Sequence, residues 1–364
     1  MNHEALAGKT AVLLINLGSP EAPTKQALRP YLREFLSDPR VIDLPRWQWL
    51  PILYGIVLNT RPKKSAQAYE QIWWDEGAPL IVISERQVAA LEERFVAQGL
   101  DHVVVDYAMR YGQPSIDKKM TALAKQGVER VLVVPMYPQY ADATTASVFD
   151  GVAMALEKQR NVPELRFVRS WHDHPLYINA LADSIQRHFD EYGQPQKLLF
   201  SFHGVPKRYL LEGDPYFCQC HKTTRLVVEA LGLAENDYQL VFQSRFGREE
   251  WLQPYADKTI AALPAQGIES VSVICPGFSA DCLETLEEMA IGNRNLFLEN
   301  GGKRYDYIPC LNEDPAHIDL LSALVRQHTQ GWAAFDQGLP PDDQAAQKAL
   351  ARRAQWEETQ KVAR

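Results

Sequence analysis

Ala122-Leu-Ala-Lys-Gln-Gly-Val-Glu-Arg-Val-Leu-Val-Val-Pro135 returns 140 positions later as Ala262-Leu-Pro-Ala-Gln-Gly-Ile-Glu-Ser-Val-Ser-Val-Ile-Cys275. A second pair, Leu13-Leu-Ile-Asn-Leu-Gly-Ser-Pro20 and Leu199-Phe-Ser-Phe-His-Gly-Val-Pro206, recurs at a spacing of 186. The chain therefore reads as two copies of one α/β unit. The copies differ where chemistry would sit. Leu17 of the first half becomes His203 in the second, and Ala141 and Thr144 become Asp281 and Glu284. One half carries an imidazole and carboxylates at corresponding strand ends.

Working outward, 364 residues with 46% hydrophobic content are enough for a buried core and two domains. The net charge of −8 and the lack of a basic cluster argue against a nucleic-acid partner. The first ten residues have no positive region ahead of an apolar segment, and no run approaches the ~20 apolar residues of a spanning helix. A cytoplasmic protein is expected. Five cysteines, odd in number, read as free thiols. Cys218-Gln-Cys220-His221 lacks the ligand count of a zinc site.

Apolar β-branched runs at 10–16, 102–108, 130–135, 165–169, 197–202, 239–243, 270–275 and 305–308 alternate with amphipathic stretches. That alternation predicts an α/β fold with parallel sheets covered on both faces, in two Rossmann-like lobes of four strands each with a cleft between them. Ligands of such sheets bind beyond the carboxyl ends of the strands, so His203 and Asp281 are placed to share a cleft. The expected division is a first lobe at 1–175, a second at 176–311 carrying the site, and C-terminal helices at 312–364. The charged tail from Pro340 reads as a surface helix or a frayed end. No dinucleotide fingerprint or Walker loop occurs, so no nucleotide cofactor is expected.

The two spacings differ by 186 − 140 = 46 residues, which the first half must carry as extra chain. The segment 39–77 is the place for it. It holds Trp47, Trp49, Trp73 and Trp74, half of the eight tryptophans, flanked by Arg46, Arg61, Lys63 and Lys64. One reading is a helix packed on the core. The other is an apolar lip over a large flat ligand, or a patch touching a membrane. The other half folds without it, which favours the lip.

Asp281, Glu284 and Glu288 follow a strand and are spaced to share one helix face, with Glu287 on an adjoining face. Asp281 and Glu284 also fit a capping box, and the two roles are compatible. His203 ends an apolar run before Gly204 and Pro206, which turn the chain. Imidazole with carboxylates suits a divalent metal or a proton-transfer site. His172 and His174 read as shaping the link between the halves. His3, His188, His317 and His328 read as surface or helix-face residues.

With these residues in view, the chain resembles the ferrochelatases, which insert ferrous iron into a porphyrin. The likeness runs from Leu13 to about His328. It includes Asn16-Leu-Gly-Ser-Pro20, Tyr31-Leu-Arg-Glu-Phe-Leu-Ser-Asp-Pro39, Arg61-Pro-Lys-Lys-Ser65, Ala108-Met-Arg-Tyr-Gly112, Tyr137-Pro-Gln-Tyr140, Ser201-Phe-His-Gly-Val-Pro206 and Phe242-Gln-Ser-Arg-Phe-Gly247. The resemblance implies protoporphyrin IX and Fe2+ as substrates in the interlobe cleft. It implies His203 and Glu284 as metal contacts, with His203 accepting a proton and Asp281 and Glu288 as an acidic path. Arg110, Tyr111, Tyr140 and Trp251 match porphyrin-pocket positions. Some relatives carry an iron–sulfur cluster on cysteines, mostly in a C-terminal tail. Here the last cysteine is Cys310 and Asp142 stands at the earlier ligand position, so no cluster and no cofactor beyond the iron is expected. Peripheral contact with the inner membrane through the lip is a further expectation.

Overall fold

The structure is a computed structural model and describes residues 9–247, 249–332 and 334–335. The tail from Pro340 falls outside the described residues. The eight strands expected from sequence are present: β1 (Lys9–Asn16), β2 (Val104–Met109), β3 (Val128–Pro135), β4 (Glu164–Phe167), β5 (Lys197–His203), β6 (Tyr238–Gln243), β7 (Ser270–Ile274) and β8 (Arg304–Ile308). They form two four-stranded parallel sheets, ordered β2-β1-β3-β4 and β6-β5-β7-β8. The orders are the same once the second half is renumbered, so the internal repeat is a repeat of topology.

Side chains alternate across each strand, and this period of two sorts them into separate cores. Leu13, Ile15, Val131 and Val133 point to a core belonging to the first sheet alone, and Leu199, Val271 and Val273 to one belonging to the second. The opposite faces, with Val12, Leu14, Leu132, Leu198, Phe200 and Phe202, meet in one continuous core together with helices Pro79–Ala97, Pro175–Tyr192, Tyr216–Leu231 and Pro315–His328. The lobes are thus fused through a shared interior, and His317 lies inside it. It stands on the helix Pro315–His328 but is fully buried, which overturns the surface alternative: its Nδ1 reaches Asn312 O at 2.7 Å and its ring lies beside Trp171.

The extra segment of the first half folds as Arg46–Ile52, a π-turn at Leu53–Val57 and the helix Leu58–Ile72. Leu53, Leu58, Tyr69 and Ile72 pack on Leu28, Tyr31 and Leu36 of the helix Lys25–Ser37. Its other side stays in solvent, with Trp47 75% and Ile56 61% exposed beside Leu44, Ile52 and Tyr54. One face thus packs on the core, as the first reading expects, and the other leaves apolar side chains in solvent.

Candidate active site

β5 ends at His203, and the next residue must be glycine: a Cβ on Gly204 would stand 2.7 Å from Ser244 O and 3.0 Å from Gln243 O. That close approach turns the chain at the strand mouth. His203 Nδ1 sits 2.6 Å from Gly204 O. A carbonyl only accepts, so the neutral ring carries its proton on Nδ1 and keeps the Nε2 lone pair free.

The carboxylates come from the π-helix Glu284–Asn293. Gln243, at the end of β6, fixes its start: Nε2 donates to Glu284 O at 2.8 Å while Oε1 accepts from Ser201 Oγ at 2.8 Å. Ser244 holds Glu288, with its N–H donating to Oε1 at 2.9 Å and its hydroxyl to Oε2. To do so it adopts φ +58°, a left-handed conformation that costs a non-glycine residue energy and often marks a functional site. Burial raises the Glu288 carboxyl above the ordinary range, against the Ser244 bonds and the nearby His203, which favour its charged form. Glu287 is raised by burial and by the Glu288 charge, with Lys64 opposing.

Imidazole and acids line one cavity of about 310 Å³. Phe35, Ser65 and Tyr69 wall one side, and Val205, Trp251 and Phe278 line it from the second half. The Arg61 guanidinium lies 5.6 Å from the centre of the Phe246 ring, bringing the two halves together over this cavity. The exposed lining surface is mostly apolar, as suits a flat hydrophobic ligand, with the polar groups of His203, the glutamates, Arg61 and several tyrosines set into it. Among the described residues no three His, Cys, Asp or Glu side chains converge to hold an ion by themselves.

The sequence-selected residues divide in two. His203, Glu284, Glu288 and Trp251 line the cavity. Asp281 does not. It precedes the π-helix and is 4% exposed, with Oδ1 accepting from Thr285 and Tyr307 and Oδ2 from Asn312. The straight carboxylate ladder expected from α-helical spacing is therefore broken at its first rung. A π-helix bonds i to i+5 and has a wider turn, and Glu287 reaches the lining where Asp281 was expected. Nor does Asp281 cap Glu284: the Thr285 hydroxyl takes the Cys282 N–H at 2.9 Å.

Arg110 and Tyr111 also stand outside the lining. Both bond Asp38 Oδ2, at 2.6 and 2.8 Å, and Tyr111 packs edge-on against Phe35 of the cavity wall. Tyr140 turns away beneath the Arg169 guanidinium at 4.3 Å. Sequence reasoning missed Gln243, Ser244 and Tyr69. The motif Phe242-Gln-Ser-Arg-Phe-Gly247 was a signal for the first two, but only the fold shows which carboxylate each one holds. His174 caps the helix Pro175–Tyr192, and Cys218 and Cys220 lie on exposed and buried sides of theirs.

Two fused α/β lobes, with an imidazole and carboxylates in one apolar cavity, describe a metal chelatase for a large flat ligand. Comparison makes the class particular: residues 9–329 match the family model described as Ferrochelatase. A ferrochelatase of Idiomarina loihiensis is 52% identical over 330 residues, covering 91% of each chain. One of Azoarcus sp. is 54% identical over 344 residues, covering 94% of this chain and 93% of its own. A solved structure titled "SirB from Bacillus subtilis with Fe3+" aligns with a TM-score of 0.49 at 12% identity, over 88% of this chain and 96% of that one. The chain belongs to the ferrochelatase family.

Proposed function

We propose that this enzyme inserts ferrous iron into protoporphyrin IX in the 310 Å³ cavity, with His203 and Glu284 contacting the metal. The observation that carries the reading is a histidine whose Nε2 is free, sharing an apolar cavity with glutamates. Free-base porphyrin must lose two pyrrole protons as Fe2+ enters. His203 Nε2 is built to accept one, and burial biases Glu288 toward taking another. Carboxylates hand on a borderline cation without trapping it, and the four ring nitrogens supply the final ligand set. Aromatic and aliphatic walls grip the ring so that binding energy can be spent on bending it.

This reading needs no resident cofactor. Asp142, at the position where some relatives hold a cluster, is bound by Arg40 at 2.5 Å. Among the described residues no helix is long and apolar enough to cross a membrane. We place the enzyme in the cytoplasm with its lip on the inner-membrane surface, and the exposed apolar face with Trp47, Ile52, Tyr54 and Ile56 supports the membrane contact. The test is anaerobic mixing with Fe2+ and protoporphyrin IX, following loss of porphyrin fluorescence as haem absorbance grows. Turnover supports the reading. Porphyrin binding without turnover of iron or cobalt would instead leave a tetrapyrrole carrier.

A further inference from the structure

We infer that Asn312 and Asp281 form a clamp that positions Glu284, and that Asp281 serves through these hydrogen bonds, with its charge taking no part in metal or proton transfer. The inference rests on the functional reading above, in which Glu284 meets the metal. Asn312 follows β8 and Asp281 follows β7, and they exchange a reciprocal pair of bonds. The Asp281 N–H donates to Asn312 Oδ1 at 2.8 Å, and Asn312 Nδ2 donates to Asp281 Oδ2 at 2.8 Å. Asn312 has φ +45°, a left-handed conformation that asparagine tolerates better than most residues. Its carbonyl is held by Gln87 Nε2 at 2.9 Å from the first half and by His317 Nδ1 at 2.7 Å from the core. The clamp is anchored on both halves of the molecule.

From Asp281 the contacts run to the residues that flank Glu284 in the chain. Oδ1 accepts from Thr285 Oγ1 at 2.9 Å, and that hydroxyl oxygen accepts the Cys282 N–H at 2.9 Å. These bonds pin the residues on both sides of Glu284. With Tyr307 Oη also donating at 2.6 Å, the carboxylate accepts three side-chain bonds and lies outside the cavity. It is placed to hold, and poorly placed to pass a cation.

The twin half supplies the control. At a spacing of 140, Asp281, Thr285 and Asn312 correspond to Ala141, Thr145 and His172. That half also forms a π-helix, Asp142–Ala146, yet has no clamp, and its Thr145 Oγ1 is buried without a partner. A π-turn at this place therefore does not require the clamp. It occurs in the half that carries Glu284, where Thr144 is the twin.

Single substitutions confuse charge with clamp, since Asp281→Asn alone turns an amide donor toward the Asn312 donor. The exchange Asp281→Asn with Asn312→Asp pairs every one of these donors with an acceptor again, reversing the side-chain bond between the two residues and moving the carboxylate from 281 to 312. Outer-shell partners of this kind typically change metal affinity or activity by about 10–100-fold. Asn312→Asp alone should cost about that factor in kcat/KM for Fe2+, with protoporphyrin affinity by fluorescence quenching unchanged. The double exchange should recover at least half of the loss on a logarithmic scale. Thr285→Val, which keeps the shape and removes the bridging hydroxyl, should show the same iron-side defect. A double exchange as impaired as Asn312→Asp, at wild-type thermal stability, would overturn the clamp and return the charge of Asp281 to the chemistry. So would wild-type kinetics in Thr285→Val, which decides the matter even where the exchange folds badly. Titrating the same chains with Co2+ tests Glu284 placement without turnover: weakened binding rescued by the exchange supports the clamp, unrescued weakening refutes it. A wild type that binds Co2+ but turns over nothing would count against the enzyme reading alone.

Discussion

Gln139 and Ser279 occupy one place in the two halves, and each reaches into the other half. Ser279 Oγ donates to Met136 O at 2.6 Å and Gln139 Nε2 to Pro276 O at 3.5 Å. Both pairs are related by the same spacing, since 279 − 139 and 276 − 136 are each 140. The contact is isologous, as between subunits of a twofold dimer, although both partners lie on one chain. It ties the carboxyl ends of β3 and β7 at the base of the cleft.

Ser279→Ala leaves a buried carbonyl without its donor, which costs about 1–3 kcal/mol. The urea midpoint should fall accordingly at unchanged slope, with kcat altered little. An unchanged midpoint would mean that water replaces the hydroxyl.

His203→Ala should lower kcat by about 10²–10⁴-fold, the usual contribution of a positioned proton acceptor, while leaving porphyrin binding intact. Fluorescence titration beside the turnover assay separates the two effects. Turnover near the wild-type rate in this variant would move proton acceptance elsewhere.

Asp38 is buried and receives Arg110, Tyr111 and Ser147 together. Asp38→Asn leaves the Arg110 charge without its partner, and breaking such a buried pair costs about 3–5 kcal/mol. Thermal unfolding should show a large loss, because this cluster supports Phe35 from behind and does not itself line the cavity. A variant with normal stability and lost porphyrin affinity would place Arg110 in the pocket after all.

Burial depresses the His317 imidazole to about 4, against an ordinary 6.5. The folded state then binds fewer protons than the unfolded one between those values, so stability is full above pH 6.5 and falls as pH drops toward 4. The loss approaches about 3 kcal/mol at the bottom of that window. His317→Gln should remove that part of the acid sensitivity, seen as a smaller difference between urea midpoints at pH 7 and pH 5.

Replacing Trp47 and Ile56 by Glu removes two exposed apolar anchors, each worth about 1.5–3 kcal/mol when fully buried. Sedimentation with anionic vesicles should drop at least about tenfold, with turnover of detergent-dispersed porphyrin retained. Equal sedimentation of both proteins would remove the lip from membrane contact.

The central strands β1, β3, β5 and β7 were legible in sequence because their runs are largely apolar on both faces. β2, β4 and β8 alternate apolar with charged residues and were legible by that alternation. His203 was legible for a related reason: it breaks an otherwise apolar strand just before a turn. The lip was half legible. Its tryptophans announced apolar surface, but which of them meet the core depends on the helix Lys25–Ser37, far away in sequence and near in space.

The sequence by itself determined the duplicated α/β architecture, the half that carries the chemistry and the residue types at its strand ends, because periodicity, repetition and composition are local properties. Only the tertiary structure decided which acids share the cavity. Asp281 and Glu284 look alike at α-helical spacing, yet the first is taken by Tyr307 of β8 and Asn312 just after it, while the second lines the cavity on a π-helix. A hydrogen-bonding partner brought in from beyond the local chain leaves no periodic trace. That is why the roles of identical carboxylates had to wait for the fold.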